Sequence, residues 1–160
     1  MAVEVTTMPA ERTVSITRII DAPRTLVFIM WTDPHHMAQW WGPRHFTNPV
    51  CELDASVGGA IRIHMQAPDG VTYPMSGTFR EIVPPERLVF MAVAEDASGK
   101  ALLEQLTTVT FADHGGKTKL TVDAHAVGLA PIAPQMLAGM EAGWTQSLEK
   151  LAELAPRAGG

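Results

Sequence analysis

Cysteine is nearly missing from this 160-residue chain. Cys51 stands alone, so neither an internal disulfide nor a cysteine pair for a metal site is open to it, and a reducing, cytoplasmic setting is expected. Runs of Lys and Arg are missing as well. With 12 basic against 17 acidic residues and a formal net charge of −5, the chain carries no electrostatic footprint for nucleic acid or for an anionic membrane surface. No apolar stretch approaches the roughly 18 residues of a spanning helix, and Met1–Ala10 lacks the apolar centre of a secretory signal, so no membrane insertion is expected. Catalytic signatures are absent too. There is no Gly-x-Ser-x-Gly, no Walker-type phosphate loop, no dinucleotide fingerprint and no local Ser/His/Asp or Cys/His order. Neither a cofactor nor a metal is expected, and the residues name no reaction.

What is present is apolar material. At 46% hydrophobic residues, the chain is rich enough to bury a core as one globular domain, expected over residues 12–155 with flexible tails at 1–11 and 156–160. Thr13 to Ile20 alternates as a first strand before the turn Asp21-Ala22-Pro23. Leu26, Val27, Met30 and Trp31 form the stripe of a short helix starting at Pro23. Asp33 as cap and Pro34 as first helical residue begin a second short helix, through Met37 and Trp40, that Gly42-Pro43 ends. Six strands follow, at His45–Asp54, Ala60–Ala67, Val71–Val83, Arg87–Ala94, Leu102–Ala112 and Lys117–His125, separated by hairpin-length turns rich in Gly, Pro and Asp. Strands in hairpin succession bracketed by helices predict an antiparallel α+β sheet.

Parity assigns the faces. Ile61, Ile63 and Met65, and likewise Thr118, Leu120, Val122 and Ala124, are expected to point inward, joined by Val109, Phe111, Met75 and Phe79. Leu88 to Val93 is apolar on both parities, which leaves its facing open. The cover for this sheet is the last helix, Pro131 to Ala155. Leu137, Met140, Trp144, Leu148, Leu151 and Ala155 recur at spacings of three and four, and Pro156 is expected to stop it. Gly139 and Gly143 on its flank each cost about 1 kcal/mol relative to Ala, which calls for a close neighbour or an open space beside them. Ser147 falls within the apolar arc, where its hydroxyl either bonds back to the Gly143 carbonyl or serves as a polar anchor facing a ligand.

The runs Asp21-Ala22-Pro23, Gln39-Trp40-Trp41-Gly42-Pro43, Val57-Gly58-Gly59, Pro68-Asp69-Gly70 and Pro84-Pro85-Glu86-Arg87-Leu88-Val89-Phe90, with Gly77 and Gly143-Trp144, stand in one order from about Arg12 to Leu154. In that order the chain resembles the helix-grip fold of the START-like superfamily, and within it the family related to the C-terminal domain of the activator of Hsp90 ATPase. The resemblance implies a curved antiparallel sheet of about seven strands gripping the long C-terminal helix, with a cavity that in related proteins holds apolar small molecules. It does not imply a reaction, since members include ligand carriers, cyclase-like enzymes and co-chaperone domains. The additional N-terminal domain of the Hsp90 activator is not found in this sequence, which sets the chain apart from the co-chaperone case.

Three readings of function follow. In the first, a soluble binding protein holds an apolar or amphipathic small molecule between sheet and helix, lined by Trp40, Trp41, Ile63, Met75, Phe79, Met136, Met140, Gly143, Trp144 and Ser147. The same Trp and Met residues also suit an ordinary filled core. In the second, an exposed-looking Trp40-Trp41-Gly42-Pro43 run faces a chaperone or a second copy in a homodimer. The third is a cyclase or hydrolase on an apolar substrate, for which Ser147 is the internal polar candidate. The histidines offer less. His35 and His36 lie about 100° apart on one helix, and His64 and His125 take the outer parity. Asp54, Glu81 and Glu104 are carboxylates that could flank a cavity mouth.

Overall fold

The computed structural model describes residues 10–158. Its chain runs β1 (Glu11–Ile20), α1 (Arg24–Thr32), α2 (Pro34–Trp40), β2 (Thr47–Leu53), β3 (Ala60–Gln66), β4 (Thr72–Val83), β5 (Arg87–Glu95), β6 (Ala101–His114), β7 (Lys117–Gly128), α3 (Ala133–Ala138) and α4 (Met140–Ala158). The strands form one antiparallel sheet in the order β1-β7-β6-β5-β4-β3-β2. Register shifts within the β2–β3, β4–β5 and β5–β6 pairings mark the bulges or irregularities that bend such a sheet around its cover.

Local chemistry explains the elements that follow β1. The buried Thr118 hydroxyl of β7 donates to the Ala22 carbonyl at 2.7 Å and fixes the turn into α1. Asp33 accepts from the His35 amide at 2.8 Å and Pro34 takes the first helical position, so the start of α2 is capped as expected. The expected parity holds on β3 and β7, where Ile61, Ile63, Thr118, Leu120, Val122 and Ala124 are buried. On β5 the inward set is Leu88, Phe90 and Ala92, all buried on the face that the helices cover.

The last helix departs from expectation at both ends. It is two helices: α3 stops at Gly139, whose amide donates to the Met136 carbonyl at 3.2 Å in a tightened, three-residue turn before α4 begins. Glycine, the residue least costly to leave unhelical, marks the break. Pro156 does not stop α4, which runs through it to Ala158. Placed within the last turn, Pro156 interrupts only one terminal backbone bond, and its own φ suits a helix. The flexible tails expected at 1–11 and 156–160 fall partly outside the described residues; Glu11 already pairs with Val127 in the sheet.

One end of the sheet is filled with aromatic rings. Trp31 of α1 lies fully buried among Trp40 (4.6 Å between centroids), Trp144 (6.1 Å, stacked), Phe111 (6.3 Å, edge-on) and Phe90 (6.4 Å). Trp40 donates its Nε1 proton to the Met30 carbonyl at 3.0 Å, whereas Trp31 Nε1 has no partner among the described residues. Rings at these separations add to plain area burial, so this cluster is the rigid part of the core.

Candidate functional site

Where the aromatic cluster ends, a cavity of about 220 Å³ begins. Its floor comes from the far ends of the central strands: Met65 of β3, Met75 of β4, Ala92 and Ala94 of β5, Leu103 and Gln105 of β6. Its cover is Met136 of α3 with Met140, Gly143, Trp144 and Ser147 of α4, and one side is closed by the turn Trp41-Gly42-Pro43. The hollow has a simple cause in the register. Phe79, Phe90 and Thr107 lie side by side in one row across the sheet; the row two residues along is Gly77, Ala92 and Gln105, continued by Ala126 of β7. On β5 the ring of Phe90 gives way to Ala92, which lines the cavity beside Gln105, while the helices stay above.

The helix side agrees. A Cβ built on Gly143 would meet nothing within 4 Å, so of the two explanations for this glycine the open space is the one found. Of the two alternatives for Ser147 the bond back along the helix is the one found, its hydroxyl donating to the Gly143 carbonyl at 2.9 Å, and the residue lines the cavity.

The Trp41–Pro43 side of the cavity is held from behind. Asn48 donates through Nδ2 to the Ala38 and Trp41 carbonyls at 3.0 and 2.9 Å. Lys150 Nζ donates to the Pro43 carbonyl at 3.2 Å and lies 3.5 Å from that of Trp41; burial, and then the nearby Arg44 charge, lower its pKa. Arg44 pairs with Glu153 at 2.6 Å and Glu149 at 3.3 Å on α4, and its amide donates to Gln146 at 3.0 Å. Gly42 adopts φ +89°, and a Cβ there would come 2.8 Å from the Met65 sulfur, so the turn needs glycine for both conformation and space. On the outer side of the helices, Arg12 of β1 donates to the Leu137 carbonyl at 2.9 Å and pairs with Glu141 at 2.9 Å, tying α3 and α4 to the sheet edge.

Of the residues expected to form the site, Trp41, Met75, Met136, Met140, Gly143, Trp144 and Ser147 come together around this cavity. Trp40, Ile63 and Phe79 do not line it. Trp40 is fully buried beneath Trp41, and Ile63 and Phe79 lie in the packed part of the core, beside a crevice of only about 10 Å³. Gln105 was not foreseen, although it shares its parity with Val109 and Phe111. The expectation of an exposed Trp40-Trp41 run is overturned: Trp40 is 0% and Trp41 7% exposed, because the indoles pack against each other and against Phe90 and Trp144.

Among the described residues no carboxylate or histidine is part of the wall. Glu81 pairs with Arg87 at 3.1 Å, Asp54 accepts from Ser56 at 2.9 Å in the β2–β3 turn, and exposed His125 shares a 2.8 Å hydrogen bond with Thr13. Among the described residues no three His, Cys, Asp or Glu side chains come together as a metal site. Burial, and secondarily the Asp33 charge, push the Cys51 thiol up to about 11, which leaves little thiolate at neutral pH. Among the described residues no helix is long and apolar enough to cross a membrane.

Comparison with known proteins adds to this geometry. Residues 21–155 match the family model described as activator of Hsp90 ATPase homolog 1-like protein. Among solved structures, a protein from Chromobacterium violaceum is 30% identical with a TM-score of 0.75, over 89% of this chain and 96% of that one. One from Rhizobium leguminosarum is 25% identical with a TM-score of 0.78, over 94% and 97%. The AHSA1 protein from Silicibacter pomeroyi is 26% identical with a TM-score of 0.76, over 91% and 99%. None of the curated proteins compared with the chain matches it.

Proposed function

The chain belongs to the activator of Hsp90 ATPase homolog 1-like family, and from that premise we propose that it is a binding protein for a compact apolar or amphipathic small molecule. The observation that supports this reading is the cavity between the central strands and α3–α4, walled by four methionines and two tryptophans. Methionine thioethers adapt to ligand shape, and the indoles supply flat surfaces. The volume of about 220 Å³ lies a little below the roughly 300–1,000 Å³ usual for drug-sized ligands, which favours a molecule of one or two rings over a long acyl chain. A chaperone-facing or self-associating role has weaker support, since the tryptophan patch on which it stood is buried.

A thermal-shift screen of neutral aromatic and aliphatic compounds, followed by titration of tryptophan fluorescence, tests the reading. A ligand at a hundredfold excess over its Kd stabilises by about 2.7 kcal/mol, which raises Tm by roughly 5–10 °C in a domain of this size. Saturable quenching should accompany the shift, because Trp41 and Trp144 form the wall. If no compound shifts Tm and none quenches saturably, the cavity is not a binding site.

A further inference from the structure

Among the described residues the wall of the cavity carries no ionisable side chain, and its polar side-chain groups are the Gln105 amide, the Ser147 hydroxyl and the donor-only indole N–H groups of Trp41 and Trp144. Their commitments decide what they offer a ligand. Ser147 spends its one proton on the Gly143 carbonyl, so toward the cavity it is an acceptor. Gln105 donates one amide proton to Thr107 Oγ1 at 3.2 Å, which leaves a second proton and the amide oxygen without a protein partner among the described residues. Cations next to the wall are engaged elsewhere: Arg44 with Glu149 and Glu153, Lys150 with the backbone carbonyls behind Trp41 and Pro43.

We propose that this cavity selects an uncharged, ring-sized molecule bearing a hydroxyl group, a phenol or cyclic alcohol, and discriminates against carboxylates of the same shape. This inference rests on reading the cavity as a binding site. A hydroxyl both donates and accepts, which matches the acceptor at Ser147 and the free donor and acceptor at Gln105. A carboxylate is acceptor-only, so it can use the N–H donors of the wall but neither the Ser147 nor the Gln105 acceptor, and it enters an apolar wall with no counter-charge among the described residues, a burial that is costly for an ionised group. A purely apolar ring would fill the space but leave the second Gln105 amide proton and the amide oxygen without a partner.

The experiment compares naphthalene, 2-naphthol and 2-naphthoate at neutral pH on the full chain, by tryptophan quenching and calorimetry. We expect 2-naphthol to bind about tenfold more tightly than naphthalene, the equivalent of one net hydrogen bond, and 2-naphthoate to bind at least about a hundredfold more weakly than 2-naphthol. Gln105→Leu should bring 2-naphthol down to the level of naphthalene while leaving naphthalene unchanged or tighter. Ser147→Ala, which keeps the helix intact, should lower only the 2-naphthol affinity. The inference is overturned if 2-naphthoate equals 2-naphthol, or if the hydroxyl advantage is missing in the parent or survives both substitutions. Should naphthalene still bind in that case, the binding reading stands and only the selectivity falls; should none of the three bind, both fall.

Discussion

Followed along β5 from Leu88 to Ala94, the inward side chains shrink from Leu and Phe to two alanines, and β7 repeats the change from Leu120 and Val122 to Ala124 and Ala126. At the large-residue end α1 and α2 bring Phe28, Trp31 and Trp40 down onto the sheet; at the small-residue end methionines on β3, β4, α3 and α4 surround an empty volume. Backbone pairing runs from β3 to β7 through both regions, broken by register shifts at Phe79/Glu81 and Ala94/Glu95, so a change in side-chain size along the strands accompanies a bend of the sheet. A cavity made this way draws on both the small residues and the bend. It needs a stiff neighbour, because an interior packed to ordinary density would collapse into the gap unless the adjoining rings hold α4 away from it.

The largest expected effect lies in the aromatic half. Trp31→Ala should destabilise the fold by about 3–5 kcal/mol, read from urea melts, whereas Met75→Ala at the cavity wall should cost no more than about 2 kcal/mol, the low end for a methionine, since that side chain is half-buried and already faces open space. Equal costs would mean that the two halves are packed alike. A finer contrast lies within the ring cluster. Trp40→Phe leaves the Met30 carbonyl without its donor, while Trp31→Phe removes an indole proton that had no partner, so the first change should cost about 1–2 kcal/mol more than the second.

The smallest effect on stability belongs to Gly143→Leu. Helix propensity favours the change by roughly 1 kcal/mol and nothing stands within 4 Å of the new Cβ, so the melting transition should hold or rise. The side chain would occupy the cavity, and affinity for the neutral aromatic ligands should drop about tenfold or more. A severe loss of stability would show instead a site too tight to accept a side chain.

Much of the fold was legible because two periodicities carry it. Strand alternation placed Ile61, Ile63, Leu120 and Val122 inside, and the three-and-four spacing of Trp144, Leu148 and Leu151 set the buried face of α4. The break at Gly139 and the passage through Pro156 were not, since both depend on how a terminal turn closes rather than on pattern. The cavity was legible in part. Parity separates inside from outside, but Phe79 and Met75 share a parity, as do Trp40 and Trp144 a buried state; what divides filled core from cavity wall is position along the strand. That position is readable only once register is known. The sequence of sizes on β5 was the available signal, and it was obscured because Leu88 to Val93 is apolar on both faces. Gln105 was hidden for a simpler reason: with Thr107 it makes two successive polar residues on the inward parity between Leu103 and Val109, which looks like the solvent side of a strand.

The Gly139 junction divides the cover of the cavity into two parts with different lifetimes. Leu148, Leu151 and Ala155 anchor α4 fully inside the core, so amide protons in that stretch should exchange with solvent only when the whole domain unfolds. α3 has six residues, two of them buried, Ala133 and Leu137, and Arg12 donates to its C-terminal carbonyls. Its amides should exchange through local opening, at a free energy well below that of the domain. Because Met136 belongs to this short helix, the part of the cavity wall it supplies should loosen by local opening more often than the part supplied by α4.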